Sequence, residues 1–275
     1  MSYTEQQEPE KAVVVLSGGQ DSTTCLFWAL NQGYDVHTVT FDYGQRHSIE
    51  LEAARNVANR ANIPEEKREL ITLGPILKST SPLVSDEELE LYCDHTCLPG
   101  GLEKTFVPMR NQLFLTIAAN RAYHLGARFL VTGVCQEDSG GYPDCRQDFI
   151  TSFENTCNRG TFTGEEGALD YLTVHTPLMN LTKADAVKLA YNLPGCYAAL
   201  AWTHTAYDGQ FPPIGHDHAT LLREKGFEEA GLPDPLVLRA FHMGLMDLPD
   251  SDNYDSQSVS TVMPMLEMGL WLEKI

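Results

Sequence analysis

The stretch Ala12–Thr24, with the sequence AVVVLSGGQDSTT, decides how the rest of the chain is interpreted. It begins with an uninterrupted apolar run, Ala12–Leu16, which is typical of a buried strand in a parallel sheet. The two glycines that follow allow the backbone to turn tightly and to approach a ligand closely. We predict Asp21 as the N-cap of a helix that runs to about Leu30. The stretch therefore predicts a strand–turn–helix unit.

The loop within this stretch carries the groups that a phosphate-binding site needs. A helix start offers unpaired N–H groups and a positive dipole end, and three hydroxyl groups add further donors. No lysine follows the glycines, so the pattern differs from G-x-x-x-x-G-K-[ST]. A glycine turn without a ligand is the alternative, but the full octet between a strand and a helix favours a phosphate cradle. The predicted cradle residues are Ser17, Gly18, Gly19, Gln20, Asp21, Ser22, Thr23 and Thr24.

Strand-like and helix-like segments alternate after this loop. The predicted strands are Val36–Tyr43, Glu69–Leu73, Phe129–Cys135 and Leu172–Leu178. The predicted helices are His47–Ala61, Asn111–His124, Phe149–Cys157 and Lys183–Ala190. Residues 74–104 show no period and predict a long loop that is functional or disordered. The alternation predicts an α/β fold with a doubly wound, mostly parallel sheet, Rossmann-like, whose ligands bind at the carboxyl ends of the strands.

The composition along the chain predicts three regions. Residues 11–193 form the nucleotide-binding α/β domain. Residues 194–236 are rich in Gly, Pro and His and predict an irregular, partly helical region with one helix near Ala219–Ala230. Residues 237–275 form a C-terminal extension, in which Leu248–Ser258 is acidic and predicted to be mobile. The apolar segment Val259–Ile275 is predicted to be a helix that packs on its own domain, with a homodimer or partner contact as the alternative.

Composition and charge restrict the class of protein. The chain has 275 residues, of which 43% are hydrophobic and 21% charged, as in ordinary globular proteins. No apolar run approaches the roughly 20 residues that span a bilayer, and the polar N-terminus lacks a signal-peptide pattern. Seven scattered cysteines fit a reducing compartment, so we expect a cytoplasmic protein with no membrane partner. A net charge of -19 disfavours nucleic acid and favours a small-molecule substrate.

Several segments resemble one family of enzymes. The loop octet resembles the signature of enzymes that split ATP into AMP and pyrophosphate. The further segments are FDYGQRH at Phe41–His47, TFVPMRN at Thr105–Asn111, GVC at Gly133–Cys135, GYPDCR at Gly141–Arg146, TPLM at Thr176–Met179 and TKA at Thr182–Ala184. Together they resemble the 7-cyano-7-deazaguanine synthases, over a span from about Lys11 to Leu236.

The resemblance implies an ATP-dependent carbon–nitrogen ligase of queuosine biosynthesis. Such an enzyme converts 7-carboxy-7-deazaguanine and ammonia to 7-cyano-7-deazaguanine, with ATP and Mg²⁺. An acyl-adenylate is opened by ammonia to an amide, and a second activation of the amide oxygen leads to the nitrile. The alternatives are a relative that conjugates a deazaguanine to a protein or nucleic-acid acceptor, a tRNA-modifying pyrophosphatase, and a nucleotide sensor without turnover.

Roles for individual residues follow from their charge and position. Arg110 is predicted to clamp a phosphate or the substrate carboxylate, and Lys183 to neutralise the α-phosphate in the transition state. With Asp21 they form the predicted catalytic set, and Asp144 is predicted to accept N–H groups of a guanine-like ring. The alternatives are a surface salt bridge for Arg110, a solvated helix position for Lys183 and a turn-stabilising role for Asp144. The predicted substrate-binding residues are Gln45, Arg46, Arg110, Asn111, Tyr142, Asp144 and Arg146.

The resemblance also implies a four-cysteine zinc site that this sequence does not retain. The four corresponding positions hold Ala206, Ile214, Asp217 and Thr220. None of them is a thiolate, so we predict no zinc site of this kind and no metal ligands. A nitrogen–oxygen site formed by His204, His216 and His218 with Asp217 is the less favoured alternative. Hydrophobic contacts are predicted to replace the metal, through Trp202, Tyr207, Ile214 and Phe227.

Overall fold

A five-stranded parallel sheet forms the centre of the molecule. The computed structural model describes residues 8–44, 49–79, 81, 106–136, 142–161, 171–206, 209–213 and 217–270. Within these ranges the strand order is β3-β2-β1-β4-β5, and every neighbouring pair is parallel. The strands are β1 Lys11–Val15, β2 Asp35–Asp42, β3 Arg68–Thr72, β4 Phe129–Val131 and β5 Thr173–His175. The predicted parallel α/β fold is confirmed.

Helices cover both faces of this sheet. They are α1 Gln20–Asn31, α2 Ile49–Arg60, α3 Arg110–Leu125, α4 Gln147–Thr161, α5 Lys183–Asn192, α6 Cys196–Ala199, α7 His218–Ala230, α8 Pro235–His242 and α9 Ser256–Leu270. The sequence analysis did not predict α6 and α8. The helix predicted from Val259 begins earlier, at Ser256, and a short 3-10 turn at Asp252–Tyr254 precedes it. Of the predicted loop at 74–104, residue 80 and residues 82–104 lie outside the described ranges.

Alternation along β1 explains why both faces are covered. Val13 faces one hydrophobic cluster with α3 and α4, whereas Ala12 and Val14 face the other with α1 and α5. All three side chains are fully buried. The second cluster also contains Val262 and Leu266 of α9, so the C-terminal extension shares a core with the first helix of the chain.

The carboxyl ends of β1 and β4 lie side by side and position the site. Val14 pairs with Val131, so the loop after β1 and residues 132–135 emerge at the same edge. The predicted strand Phe129–Cys135 is too long, because Cys135 is buried beyond the end of the ladder and its thiol donates to the carbonyl of Leu181. No helix in the described ranges is long and apolar enough to cross a bilayer.

Candidate active site

A cavity of about 410 Å³ opens at the carboxyl edge of the sheet. The loop after β1 and residues 132–135 after β4 form its floor. The first residues of α3 and α5 form two of its walls, and residues 204–206 with α7 complete it. This is the edge at which ligands bind in open parallel sheets.

The turn at Gly18 brings the loop against the start of α2. Its φ of +87° lies in the left-handed region. A Cβ atom at this position would lie 2.5 Å from the carbonyl oxygen of Glu50 and 2.6 Å from the amide nitrogen of Ala54. Both are backbone atoms of α2 that have little freedom to move. Only glycine therefore fits this turn.

The first helix begins two residues earlier than predicted. Its N-cap is Gly19, in an extended conformation, and Asp21 lies inside the first turn. The prediction of Asp21 as N-cap was wrong because its carboxylate reaches across to α5 instead of back to its own N–H groups. The first-turn N–H groups have no acceptor within the helix and lie at its positive end. They are the natural donors for an anion in the cavity.

Apart from Gly18, which forms the turn, the predicted cradle residues divide into two groups. Those lining the cavity are Ser17, Gly19, Gln20, Asp21 and Ser22. The side chains of Thr23 and Thr24 are fully buried, and their hydroxyls donate to the carbonyls of Gly19 at 2.8 Å and Gln20 at 2.9 Å. These two threonines therefore hold the helix start, whereas the lining residues present groups to a ligand.

Two polar atoms at the cavity lack partners. Gln20 Nε2 and Asp21 Oδ1 are buried without a hydrogen-bond partner among the described residues. An unsatisfied buried polar group costs roughly 1–3 kcal/mol, so such groups are rare in native structures. A donor and an acceptor left unpaired beside a phosphate-type loop fit a site that is completed by its ligand.

Lys183 stands at the first position of α5 and faces the loop. The hydroxyl of Thr182 caps the helix by accepting from the amide of Asp185 at 3.0 Å. A cation at a helix N-terminus is opposed by the dipole. The carboxylate of Asp21 offsets this cost by accepting from Lys183 Nζ at 2.8 Å. The structure thus joins two of the three predicted catalytic residues, Lys183 and Asp21, in one ion pair at the cavity.

Arg110 occupies the corresponding place at the start of α3. The preceding residue, Met109, has a φ of 66°, an uncommon backbone conformation for a residue with a side chain. Arg110 again opposes the dipole of its helix, and it lies near the carboxylates of Glu50 and Asp144 and the hydroxyl of Tyr43. Burial raises the pKa of the Glu50 carboxyl, and the charge of Arg110 partly opposes that rise.

The remaining predicted substrate-binding residues occupy different positions. Asn111 and Tyr142 line the cavity. Asp144 is only 8% exposed, and burial raises the pKa of its carboxyl, against the effect of Arg110. Its backbone carbonyl accepts from Asn111 Nδ2 at 3.3 Å, so it supports the wall from behind. Arg146 is exposed just after this turn. Gln45 and Arg46 lie outside the described residues.

Sequence reasoning missed several residues of the cavity wall, among them Glu50, Phe114 and His204. Glu50 follows an apolar position of α2, and its approach to Arg110 depends on how that helix docks. Phe114 lines the cavity and stacks on Phe41, with 4.4 Å between the ring centroids. His204 was considered only as a metal ligand. Its backbone amide donates to the carbonyl of Gly18 at 2.9 Å, and its ring Nε2 lies 2.7 Å from the carbonyl oxygen of Ala206.

Of the four positions that the resemblance relates to zinc ligands, the described ones do not form a metal site. Asp217 caps α7, and its two carboxylate oxygens accept from the amide of Thr220 at 3.1 Å and from its hydroxyl at 2.9 Å. Ala206 is buried and has no ligand atom in its side chain. Ile214 lies outside the described residues, as do Tyr207 and His216. No group of three or more His, Cys, Asp or Glu side chains in the described part of the chain is placed to hold a metal ion.

Known proteins resemble this chain over most of its length. Residues 11–231 match the family model described as Queuosine biosynthesis protein QueC. The chain is 49% identical over 229 residues to a 7-cyano-7-deazaguanine synthase of Gloeobacter violaceus, with 82% of this chain and 95% of the relative covered. For the synthase of Chromobacterium violaceum the identity is 48% over 236 residues, covering 85% and 96%.

More distant proteins extend the comparison. The synthase of Bacillus subtilis is 41% identical over 221 residues, with 80% of this chain and 94% of the relative covered. A crystal structure of a 4-thiouridine synthetase–RNA complex with bound ATP has a TM-score of 0.42 and 17% identity, covering 86% of this chain and 53% of that one. On the family match and the three synthase relatives, the chain belongs to the QueC family of queuosine biosynthesis proteins.

Proposed function

We propose that the protein is an ATP-dependent 7-cyano-7-deazaguanine synthase. One observation carries the proposal: three positive groups converge on a single cavity in a chain whose net charge is -19. They are the N-terminus of α1, Lys183 at the start of α5 and Arg110 at the start of α3. A reaction that brings a triphosphate to a carboxylate needs these charges at one place.

The loop after β1 fits the phosphates of ATP. We propose that the first-turn N–H groups of α1 and the hydroxyls of Ser17 and Ser22 bind the departing pyrophosphate. Lys183 is the cation that reaches the α-phosphate as charge develops there. Mg²⁺ typically binds through one or two carboxylates together with substrate phosphates, and Asp21, with its unpaired Oδ1, fits that role. The ion would neutralise phosphate charge.

The other wall of the cavity fits a flat aromatic acid. Phe114 and Tyr142 offer ring surfaces, and Asn111 offers an amide at the same wall. We propose that Arg110 binds the carboxylate of 7-carboxy-7-deazaguanine through its planar guanidinium. Glu50 and Asp144 hold that guanidinium in place, because both carboxyls lie close enough to Arg110 for its charge to lower their pKa values.

The reaction then follows from the order of bond changes. A carboxylate oxygen attacks the α-phosphorus, and pyrophosphate leaves to the loop. Ammonia adds to the activated carbonyl carbon, AMP departs, and an amide remains. The amide oxygen attacks the α-phosphorus of a second ATP and releases a second pyrophosphate, and loss of AMP and two N–H protons leaves the nitrile. Holding both reactants in one cavity provides the proximity that each step needs.

Mass spectrometry of the products tests the proposal. Metal-stripped protein is incubated with ATP, Mg²⁺, ammonium and 7-carboxy-7-deazaguanine, and we expect the nitrile together with AMP. The control omits the deazaguanine acid and should produce no AMP. AMP release without an amide or a nitrile would instead indicate another acceptor for the same adenylylation chemistry. Failure of folded protein to consume ATP would contradict the proposal.

Partners and compartment are part of the same proposal. We propose a small-molecule substrate and no nucleic acid partner, because the net charge of -19 repels a polyanion. A homodimer is proposed for the assembled enzyme, and sedimentation would measure it. The five described cysteines are free, which favours a cytoplasmic location.

A further inference from the structure

Trp202 is enclosed by two arginines from distant helices. Arg60 of α2 lies 4.4 Å from the centroid of its ring, and Arg239 of α8 lies 4.5 Å from it. Arg239 also lies 4.1 Å from the ring of Phe211, and its Nη1 donates to the carbonyl of Ala201 at 2.8 Å. Burial lowers the pKa of Arg239 to about 10. We call Arg239, Trp202 and Phe211 the arginine clamp.

The clamp is adjacent to a wall of the candidate active site. Residues 203–206 follow Trp202 directly, and three of them, 204–206, line the cavity. The amide of His204 donates to the carbonyl of Gly18 within the phosphate loop at 2.9 Å. Arg223 holds the same segment by donating to the hydroxyls of Thr203 at 2.8 Å and Thr205 at 2.9 Å. A displacement of the segment would therefore move a hydrogen-bond partner of the loop.

Arg239 lies in a part of the sequence that the family model does not match. Arg239 lies beyond residue 231, where the match to the family model ends. The segment that it holds leads into the region in which this chain lacks the family's zinc ligands. In that region Asp217 and Thr220 pair with each other at the start of α7. Side-chain contacts therefore hold both residues 201–206 and the start of α7.

We propose that Arg239 is a positioning residue for the ATP site. By holding Trp202 and Ala201, it keeps residues 203–206 against the phosphate loop. The inference that ATP binds at this loop rests on the proposed function. This position requires arginine, because the planar guanidinium lies over two rings while one of its nitrogens donates a hydrogen bond. Lysine retains the charge but not this geometry.

Hydrogen exchange and ATP binding together test the clamp. The variants are Arg239→Leu and Arg239→Lys, with Asn158→Ala as the matched control. Asn158 is buried on α4, and its side chain bonds both backbone groups of Leu172, so its loss destabilises the protein away from the cavity. All variants are first compared by thermal unfolding, and assays are run well below each midpoint, so that only folded protein is measured.

Arg239→Leu is expected to exchange faster at the amides of residues 201–206, without ATP present. Its dissociation constant and KM for ATP are expected to rise about tenfold, since a lost cation–π contact changes affinity by about that factor. The kcat at saturating ATP should stay within about twofold, because no reacting group is removed. Arg239→Lys should fall between wild type and Arg239→Leu, and Asn158→Ala should keep the wild-type ATP affinity.

Three outcomes would overturn the inference. The first is unchanged exchange at residues 201–206 in Arg239→Leu. The second is an equal loss of ATP affinity in Asn158→Ala, which would reduce the effect to general stability. The third is full rescue of metal-stripped Arg239→Leu by zinc. Failure of the wild-type protein to bind ATP is a different result, since it contradicts the proposed function and leaves the exchange measurement intact.

Discussion

Lys183 and Asp21 hold each other at the point where α5 meets the phosphate loop. We expect Lys183→Met to lower kcat by about 10²–10³, the usual effect of removing one group that stabilises transition-state charge. The dissociation constant of ATP should change far less. Steady-state kinetics and direct ATP binding measure the two effects separately. Lys188→Met, at an exposed position of the same helix, is the control. An equal loss in both variants would contradict the role.

Glu50 makes stability depend on pH in a defined direction. Burial raises the pKa of its carboxyl in the folded state, so the folded protein holds that proton more tightly than the unfolded chain does. Its contribution to stability is present at low pH and is lost as the pH rises through the folded-state pKa. Glu50→Gln removes the ionisation. The free energy of unfolding of this variant, relative to wild type, should therefore increase as the pH rises above about 4.

Denaturant unfolding at several pH values measures this difference. The exposed Glu66→Gln variant controls for the simple loss of a carboxylate from the surface. A difference that stays constant would show that folding does not shift the pKa of Glu50, and one that falls with rising pH would show that its surroundings favour the charged form; either result would contradict the prediction.

Individual residues were predictable where local sequence dictates their position. The octet after β1, Lys183 at a helix start and Arg110 before an apolar helix could all be identified in this way. Asp21 was placed in the right loop, but its assignment as N-cap was wrong because its partner comes from α5. Glu50 was missed because its proximity to Arg110 depends on how two helices pack together. The two residues are about 60 positions apart in the sequence, and no local pattern encodes such a contact.

At the scale of elements, α5 and α7 meet at Gly226. A Cβ atom at this position would lie 2.9 Å from the Cβ of Lys183, so the two helices approach closely because residue 226 is glycine. We expect Gly226→Ala to cost about 1–3 kcal/mol of stability through overpacking. It should also lower activity, because Lys183 is displaced. Thermal unfolding and steady-state kinetics measure these effects.

Gly160 in α4 provides the matched control for this substitution. Nothing lies within 4 Å of a Cβ atom built there. Gly160→Ala should stabilise the protein by at most about 1 kcal/mol, the intrinsic difference in helix propensity. Destabilisation by both substitutions, or by neither, would contradict the packing account.

Elements with a long apolar period were predicted, and short elements held by neighbours were not. Helix α5 combines regular apolar spacing with a capping threonine, and the predicted start at Lys183 is confirmed. Helix α8 has Asp234 as N-cap and Pro235 in its first turn, both typical start signals. It was missed because it has only eight residues, which leave too few turns for a periodic pattern to be distinguished from an apolar loop.

For the whole molecule, the net charge of -19 predicts a response to salt. Repulsion among like charges destabilises the compact state, and salt screens it. The screening length falls from about 30 Å to about 8 Å between roughly 0.01 M and 0.15 M salt. We expect the midpoint of thermal unfolding to rise over this range of potassium chloride. A midpoint that falls would show that attractive ion pairs, such as Arg223 with Asp234, outweigh the repulsion.

The architecture was predictable in outline. Alternating strands and helices indicate a parallel sheet because parallel strands require a crossover between them. The strand order and the position of the last helix depend on contacts between distant segments. The predicted region boundaries near residues 193 and 236 stay predictions. Val262 and Leu266 nevertheless pack in the same cluster as Leu26 and Phe27 of α1.

This shared core has a consequence for how the protein is made. A ribosome releases the phosphate loop and α1 early, and N-terminal parts of a chain generally begin to fold first. Val262 and Leu266 of the same hydrophobic cluster, however, are synthesised more than 230 residues later than Phe27. The core around α1 therefore stays incomplete in the nascent chain until α9 has been synthesised.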